Sequence, residues 1–579
     1  MPRRTLLFCR LNRMASVLAL AAVCSLPVQA QETTRGDAGA FLAAKVAAQN
    51  ADFAAAAEWY TRALLRDPGN QALLEGAVVA NIGVGEMGAA ATLARALTDK
   101  GGQSQVGHLA LLAAALKAEN YTEALAQAEV TAGTVALLDG LVKAWAQVGL
   151  GQMSDATTSF DALAKTKGLE AFGLYHKALA LASAGDFEGA DAILSGRASG
   201  TIGLMRRGVI AHAQILSQLE RNPDAVALLT SSFTGEPDPE LDDLRRRLAA
   251  GEPIAFDVVK GPVDGMAEVF YTVAVALQGE VDDSYALIFA RVAQYLRPDH
   301  TEANLVVAGL LEALGQHDLA SQTYAAVPAD SLIFHAAEIG RAEATYNAGR
   351  KDAAVEILEG LTRSHANVAA THIALADAYR RDERFADALK AYDVALALLG
   401  PAQPADWALY FSRGICAERT DDFAGAEANM REALRLNPDE PRVLNYLGYS
   451  FVDRGEKLDE ALGMIERAVA REPGSGYIID SLAWAYFRLG RYADAVEPME
   501  RASLLEPVDP IVTDHLGDVY WAVGRTREAE FQWHRALSFD PQEKDAARIR
   551  KKLEIGLDAV RAEEGAPPIA PVEANANGG

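Results

Sequence analysis

Four prolines near the end of the chain fall on a ruler: Pro438, Pro473, Pro507 and Pro541, at intervals of 35, 34 and 34 residues. A fixed period of that length holds one helical hairpin. A hairpin cannot bury its apolar face alone, so a chain built this way must stack its units into a solenoid. The interior of each period repeats too. Between Pro473 and Pro507 stand Trp484-Ala485-Tyr486, Leu489-Gly490-Arg491-Tyr492, Ala495, Met499 and Ala502. Between Pro507 and Pro541 stand Leu516-Gly517, Tyr520, Gly524-Arg525, Ala529, Trp533 and Ala536. Between Pro438 and Pro473 stand Leu447-Gly448, Phe451, Gly455, Ala461, Ile465 and Ala468, with the extra residue in Glu456-Lys457-Leu458, at a turn where insertion costs least. Each small residue predicts a mechanical role. Gly448, Ala483 and Gly517 mark close approach of the first helix to its neighbour. Ala461, Ala495 and Ala529 mark the crossing of the second helix over the first. Gly455, Gly490 and Gly524 end the first helix without a side-chain penalty, and Pro473, Pro507 and Pro541 close the second.

This pattern resembles the tetratricopeptide repeat (TPR). The resemblance implies an all-α fold: a TPR α-solenoid of stacked antiparallel helix pairs forming a right-handed superhelix, here in two arms. Weaker copies stand at Phe423-Ala426-Met430-Ala433, Phe385-Ala388-Tyr392-Ala395, Gly349-Ala354-Leu358, Gly315-Ala320-Tyr324 and Ala274-Leu277-Ala286 before Pro298. They give a C-terminal array of eight units over 267–543, with a small insertion near Pro401–Pro404. Phe53-Ala56-Tyr60-Ala63, Tyr121-Ala124, Gly151-Ala156-Phe160 and Gly185-Phe187-Ala190 carry the same beat and give about six degenerate units over 37–231. The segment 232–266 holds Pro237, Pro239, Pro253 and Pro262, reads as extended at Ile254–Val259, and is expected to be an irregular joint. After Pro541, Ile549, Leu553, Leu557 and Val560 form one apolar stripe on a charged capping helix, 544–562. The tail 563–579, rich in Ala, Pro, Asn and Gly, is expected to be disordered.

Residues 1–30 read as an address. Arg3, Arg4, Arg10 and Arg13 precede an apolar run from Ala15 to Leu26, and Val28-Gln29-Ala30 fits a small-x-small cleavage rule, with the cut after Ala30. A signal peptide of this kind places the mature chain in the periplasm. The second reading is an outer-membrane lipoprotein acylated at Cys24, although Val23 stands where that box prefers a small residue. No later segment offers eighteen uninterrupted apolar residues, so no transmembrane span is expected in the mature chain. Cys416 is then the one remaining cysteine, expected to be a small buried apolar residue.

The formal charge of −25 argues against nucleic acid as a partner, because phosphate binding needs basic surface. Gly83-Val84-Gly85-Glu86-Met87-Gly88 matches a dinucleotide fingerprint in letters only. Helical residues precede it where a strand is required, and Gly85 falls at an inter-helix turn. No phosphate loop, zincin, nucleophile-elbow or C-x-x-C motif occurs. The histidines, among them His108, His335, His372, His515 and His534, read as packing or surface residues. Asp421-Asp422 and Asp242-Asp243 read as caps. Lys544, Arg548, Arg550, Lys551 and Lys552 read as solvating the capping helix, with contact to an acidic partner as the second reading. No catalytic group, cofactor or metal site is expected.

What remains is the groove. In a TPR stack the first helix of every unit lines the concave side through positions 2, 5, 9, 12 and 13. Here these map to Arg442, Asn445, Tyr449, Val452 and Asp453, then Tyr477, Asp480, Trp484, Phe487 and Arg488, then Ile511, Asp514, Asp518, Trp521 and Ala522. Aromatics and arginine beside hydrogen-bonding groups make up a recognition hot spot. Some of these aromatics could equally pack between repeats.

Asn445-Tyr446-Leu447-Gly448-Tyr449, Asp453-Arg454, Asp459-Glu460-Ala461, Ile479-Asp480-Ser481-Leu482-Ala483-Trp484 and Arg488-Leu489-Gly490-Arg491-Tyr492 together resemble the C-terminal block of a family of exported proteobacterial TPR proteins. That family includes an outer-membrane lipoprotein serving as adaptor for a periplasmic carboxyl-terminal-processing protease. The resemblance covers about 440–540. It implies a non-enzymatic scaffold or adaptor of the bacterial cell envelope that binds a protein or peptide, with a periplasmic protease among its partners. The alternative is an assembly factor for secretion or exopolysaccharide. The rival class is an α-helical-repeat hydrolase, which needs carboxylates converging in a closed pocket.

Overall fold

The computed structural model describes residues 38–131, 136–198, 200, 203–233, 239–566 and 568–569. The expected signal segment, its cleavage site at Ala30, Cys24 and residues 570–579 of the expected tail lie outside them. Among the described residues there is no strand, and the chain is an all-α solenoid of antiparallel helix pairs. No helix among them is long and apolar enough to cross a membrane. The chain divides into two compact units, one ending at Arg350 and one starting at Lys351.

The first unit opens with hairpins from Ala38–Gln49 with Phe53–Leu64 to Arg206–Gln218 with Asn222–Ser232. Local chemistry sets their ends. Asp52, Asn70, Ser104 and Asp186 accept backbone N–H groups at helix starts. Gly85, at φ +103°, ends the helix Gln71–Val84, so the apparent nucleotide fingerprint is a helix end and a turn. The helix Pro239–Ala249 follows, and then residues 252–261 run without helical structure. Side chains of the helix Arg206–Gln218 satisfy this stretch. The Ser217 hydroxyl accepts from Ile254 N–H at 2.9 Å, Gln218 donates to Ile254 C=O at 2.7 Å, and Gln214 pairs with Asp257.

The next hairpin does not extend the row alone. Pro262–Leu277 packs against the first helices Ala136–Gly149 and Glu170–Ser183, and Asp283–Leu296 packs against Gln71–Val84 and Gln105–Lys117. Gly265 lies on the Trp145 indole, where a Cβ would stand 2.4 Å from the ring. Buried Arg291 donates twice to the Gly83 carbonyl, at 2.9 and 3.1 Å, and Lys117 donates to the Leu296 carbonyl at 2.9 Å. The side of this unit lined by first helices is therefore filled by the protein's own later hairpin.

The second unit holds the helix Lys351–Ser364, then hairpins from Ala369–Arg381 with Phe385–Leu399 to Pro510–Ala522 with Thr526–Leu537, and ends with Glu543–Ile555 and Leu557–Glu563. The small residues do what their spacing predicts. Ala461, Ala495 and Ala529 are fully buried. A Cβ on Gly448 would come within 2.7 Å of Ile465, and one on Gly517 within 2.4 Å of Trp533. Gly455, Gly490 and Gly524 sit at φ +70°, +75° and +82°. The extra residue of that longer period is absorbed by Lys457, which adopts φ +46°. Cys416 is buried, and burial pushes its thiol up to about 11.

Candidate functional site

The residues expected to line the groove come together on the first helices Pro441–Arg454, Gly476–Arg488 and Pro510–Ala522. They fall into two sets. In the first helix the polar groups are exposed or half-buried. Arg442 is exposed, pairs with Glu440 at 2.7 Å and lies over the Trp407 ring at 5.1 Å. Asn445 is half-buried, and its Oδ1 has no hydrogen-bond partner. Such an atom costs about 1–3 kcal/mol unless something supplies a donor. Tyr449 is half-buried; burial, then Asp480 and Asp453, push its phenol well above the ordinary value. Asp453 is exposed, and its backbone carbonyl accepts from Arg488 at 3.0 Å.

In the other two helices most of the predicted groups are engaged inside the protein. Trp484 stacks between Phe487, at 4.7 Å between ring centroids, and His515, at 4.0 Å. His515 Nδ1 meets both oxygens of Asp480 at 3.0 and 3.1 Å. Burial pulls the His515 proton off, but Asp480, then Asp514 and Asp518, outweigh it and raise the imidazole above its ordinary value. Tyr477 is exposed beside Glu506. Asp514 and Asp518 both hold Lys552 Nζ, at 2.7 and 2.6 Å, and Asp518 also accepts from Trp533 Nε1 at 2.9 Å. Trp521 tilts against Trp533 at 5.4 Å and donates from Nε1 to Asp558 at 2.9 Å.

Lys552 corrects the expectation that the basic group solvates the last helix, because its side chain has no exposure at all. The reason is register. Lys552 lies one period of 34 residues after Asp518, and Arg548 one period after Asp514. Glu543–Ile555 therefore takes the place of a further first helix, turning these cations toward the preceding aspartates. Arg548 Nη1 stands 3.5 Å from Asp518 and 3.8 Å from Asp514. Lys551 and Arg550 pair with Glu563 and Glu543 in the open, as expected of them.

The short helix Leu557–Glu563 breaks the solenoid order. A second helix continuing the row would lie beyond Glu543–Ile555. Instead the chain turns at Gly556, and Asp558 reaches Trp521 while the Arg561 guanidinium lies 5.4 Å from the Phe487 ring, one unit further back. Leu557 is buried in the cluster that holds Phe487, Ile569 packs on that cluster, and Val560 is buried as well. The groove at Phe487 and Trp521 thus already holds a helix. Neither the Asp480–His515 pair nor this return was read from the sequence.

The rival reading required carboxylates converging in a closed pocket. The first unit has a cavity of about 370 Å³ lined by Arg207, His300, Glu302, Glu240 and Arg247 among others. Glu302 is tied to Arg207 at 2.7 Å and Glu240 to Arg206 at 2.6 Å. Buried Glu268, beneath it, contacts Arg207 at 2.9 Å and His300 at 3.4 Å. Burial favours the neutral form of Glu268, but Arg207 and His300 outweigh it and hold the carboxyl well below the usual range. A general acid needs the opposite shift. No group of three or more His, Cys, Asp or Glu side chains among the described residues is arranged to hold a metal ion.

The tetratricopeptide repeat family model matches residues 339–404, 373–441, 412–476 and 447–510. A TPR repeat-containing protein of Pseudomonas aeruginosa is 29% identical over 163 residues, 28% of this chain and 27% of that protein; the chain thus spans about a quarter of this relative's length. Among solved structures, the Cut9–Hcn1 hetero-tetramer of the APC/C aligns over 91% of this chain and 97% of that chain, with 15% identity and a TM-score of 0.37. A tetratricopeptide repeat protein from Parabacteroides merdae aligns over 44% and 98%, with 17% identity and a TM-score of 0.36. Yeast Tom70 aligns over 92% and 97%, with 14% identity and a TM-score of 0.33. Likenesses this distant say nothing of function. With its repeat geometry and the family match over 339–510, the chain is an all-α tetratricopeptide-repeat solenoid, a fold that serves as a protein-interaction scaffold.

Proposed function

We propose that this chain is an exported, non-enzymatic adaptor of the bacterial cell envelope. It docks a protein partner on the first-helix face around Trp407, Arg442, Asn445 and Tyr449, and that partner is a periplasmic carboxyl-terminal-processing protease. The observation that carries the docking face is the exposed Arg442, whose guanidinium lies over the Trp407 ring one helical turn from Asn445. A partner's carboxylate would find the exposed Arg442. The resemblance of residues 440–540 to exported adaptors supports the envelope and the protease. The basic, apolar, small-x-small opening of the chain supports export.

The test is reconstitution. Purified full-length protein is mixed with a purified protease of that class and an unfolded periplasmic substrate. Cleavage is compared for wild type and for Arg442→Ala with Asn445→Ala. Stimulation by wild type, lost at least tenfold in the double variant at unchanged helicity, is expected. Equal cleavage with and without the wild-type chain would remove the protease. Equal stimulation by both forms would remove this face.

A further inference from the structure

The helix after Gly556 lies on the groove side, and it is not a cap in the ordinary sense. Glu543–Ile555 already covers the last hairpin, anchored by fully buried Ile549 and by Lys552 between two aspartates. The seven residues from Leu557 to Glu563 pack back on that helix, with Leu557 in the same core. They bury Leu557 and Val560, one turn apart, and place Asp558 on the Trp521 N–H and Arg561 over the Phe487 ring. This is how a bound amphipathic helix sits in a groove: aliphatic anchors at i and i+3, polar groups matched at the rim.

The connection is built to let go. Gly556 adopts φ +81° and ψ 155°, a region open essentially to glycine alone, and its Cα lies so close to Trp521 that a Cβ would stand 2.9 Å from the indole. A helix of seven residues has no stability of its own in water. Its remaining ties, Glu564 to Arg548 at 2.8 Å and Glu563 to Lys551, are partly solvated and weak.

We propose that residues 557–564 are a tethered ligand, holding shut a second, helix-accepting site made by Phe487 and Trp521. The site's external occupant is a partner helix with aliphatic residues at i and i+3, an acid at i+1 and an arginine at i+4, the chemistry Leu557, Val560, Asp558 and Arg561 now supply. This rests on the reading that the first-helix face takes protein partners, but its test uses no partner protein. Opening exposes the aromatic wall without unfolding the array, because the anchors on Glu543–Ile555 stay in place.

A fluorescent peptide of residues 556–569 is titrated, by anisotropy, into full-length wild type and into full-length Val560→Asp, where a carboxylate at a buried position expels the tethered copy. Binding to the variant at least tenfold tighter than to wild type is expected, together with no binding of a peptide carrying the same Val560→Asp change. Equal affinity for the two proteins, or none for either, would overturn the proposal. Hydrogen exchange on unaltered protein decides independently of how the variant folds. Amides of 560–564 should exchange at least tenfold faster than those of 547–555 and at least tenfold slower than in the free peptide. Exchange as slow as the anchored helix would make the segment a fixed cap, and exchange as fast as the free peptide would mean it is never seated; either result sinks the idea. If the peptide binds and the protease reconstitution fails, the tethered ligand stands and the choice of partner falls.

Discussion

Replacing Lys552 with methionine tests the electrostatic logic of the C-terminal end. The ammonium is fully buried and donates to Asp514 twice at 2.7 Å and to Asp518 at 2.6 Å. Methionine keeps most of the stem volume and removes the charge, so two buried carboxylates are left to the more distant, part-exposed Arg548, at 3.8 and 3.5 Å. Stranding one side of a buried ion pair costs about 3–5 kcal/mol. In a solenoid that loss stays local, because each unit contacts only its neighbours. The readout is therefore hydrogen exchange of residues 510–555 rather than global melting. At about 1.4 kcal/mol per tenfold, opening of this end should rise by roughly two to three and a half orders of magnitude. Two controls give direction. Adding Asp514→Asn and Asp518→Asn removes the stranded charges and should recover at least half the loss, and the side-chain amide introduced by the second change still offers Trp533 an acceptor oxygen. Acid should also help the single variant. Burial already raises Asp514 against the pull of Lys552, and without Lys552 the folded state takes up protons more readily than the unfolded one. Opening that rises less than tenfold in Lys552→Met, or a triple variant as loose as the single one, would refute this reasoning.

Four further outcomes rest on the same packing and charge pairing. Ala495→Leu should overpack a fully buried helix crossing and cost about 1–3 kcal/mol, and Gly517→Ala, with its Cβ 2.4 Å from Trp533 Nε1, should cost a similar amount by displacing that indole; thermal melts followed by circular dichroism give both values. His515 is raised above its ordinary value of 6.5, so its contribution is complete below that pH and is lost as pH climbs through the raised folded value. His515→Gln should flatten that part of the exchange-versus-pH curve for 476–522, while the facing carboxylates Asp480, Asp514 and Asp518 stay. Glu268 and Glu302 are both held well below 4.5, so the first unit should lose stability as pH falls beneath that value, and Glu268→Gln should weaken the acid dependence of its urea midpoint.

The repeat geometry was legible because its rules are local. A glycine at φ > 0, a proline two to four residues past a helix and an alanine at a crossing each act within one hairpin, and they recur about every 34 residues. The same ruler could have been carried one step further. It sets Arg548 and Lys552 one period after Asp514 and Asp518, which already implies four charges facing across adjacent first helices rather than a solvated basic patch. His515 against Asp480 is likewise a contact between equivalent stretches of neighbouring units. Two features had weaker signals. The return at Gly556 looks, in sequence, like any glycine closing a helix; what distinguishes it is the indole beneath it. The hairpin Pro262–Leu277 with Asp283–Leu296 gave a clue that periodicity alone does not weigh. From Ala286 to Ala293 every residue is buried. A helix without a polar face belongs inside something, and here the something is the unit's own inner wall.

That inner wall has a consequence for how the protein is made. Arg291 grips a carbonyl 208 residues earlier in the chain. At synthesis rates of about 5–20 residues per second, the opening hairpins emerge roughly 10–40 s before the segment that fills them exists. For that interval the buried alanine and leucine side chains of the opening hairpins lack the packing that residues 262–296 supply. A chain stopped before residue 262 never receives its filling, and should accumulate as aggregate while a chain stopped after 350 does not.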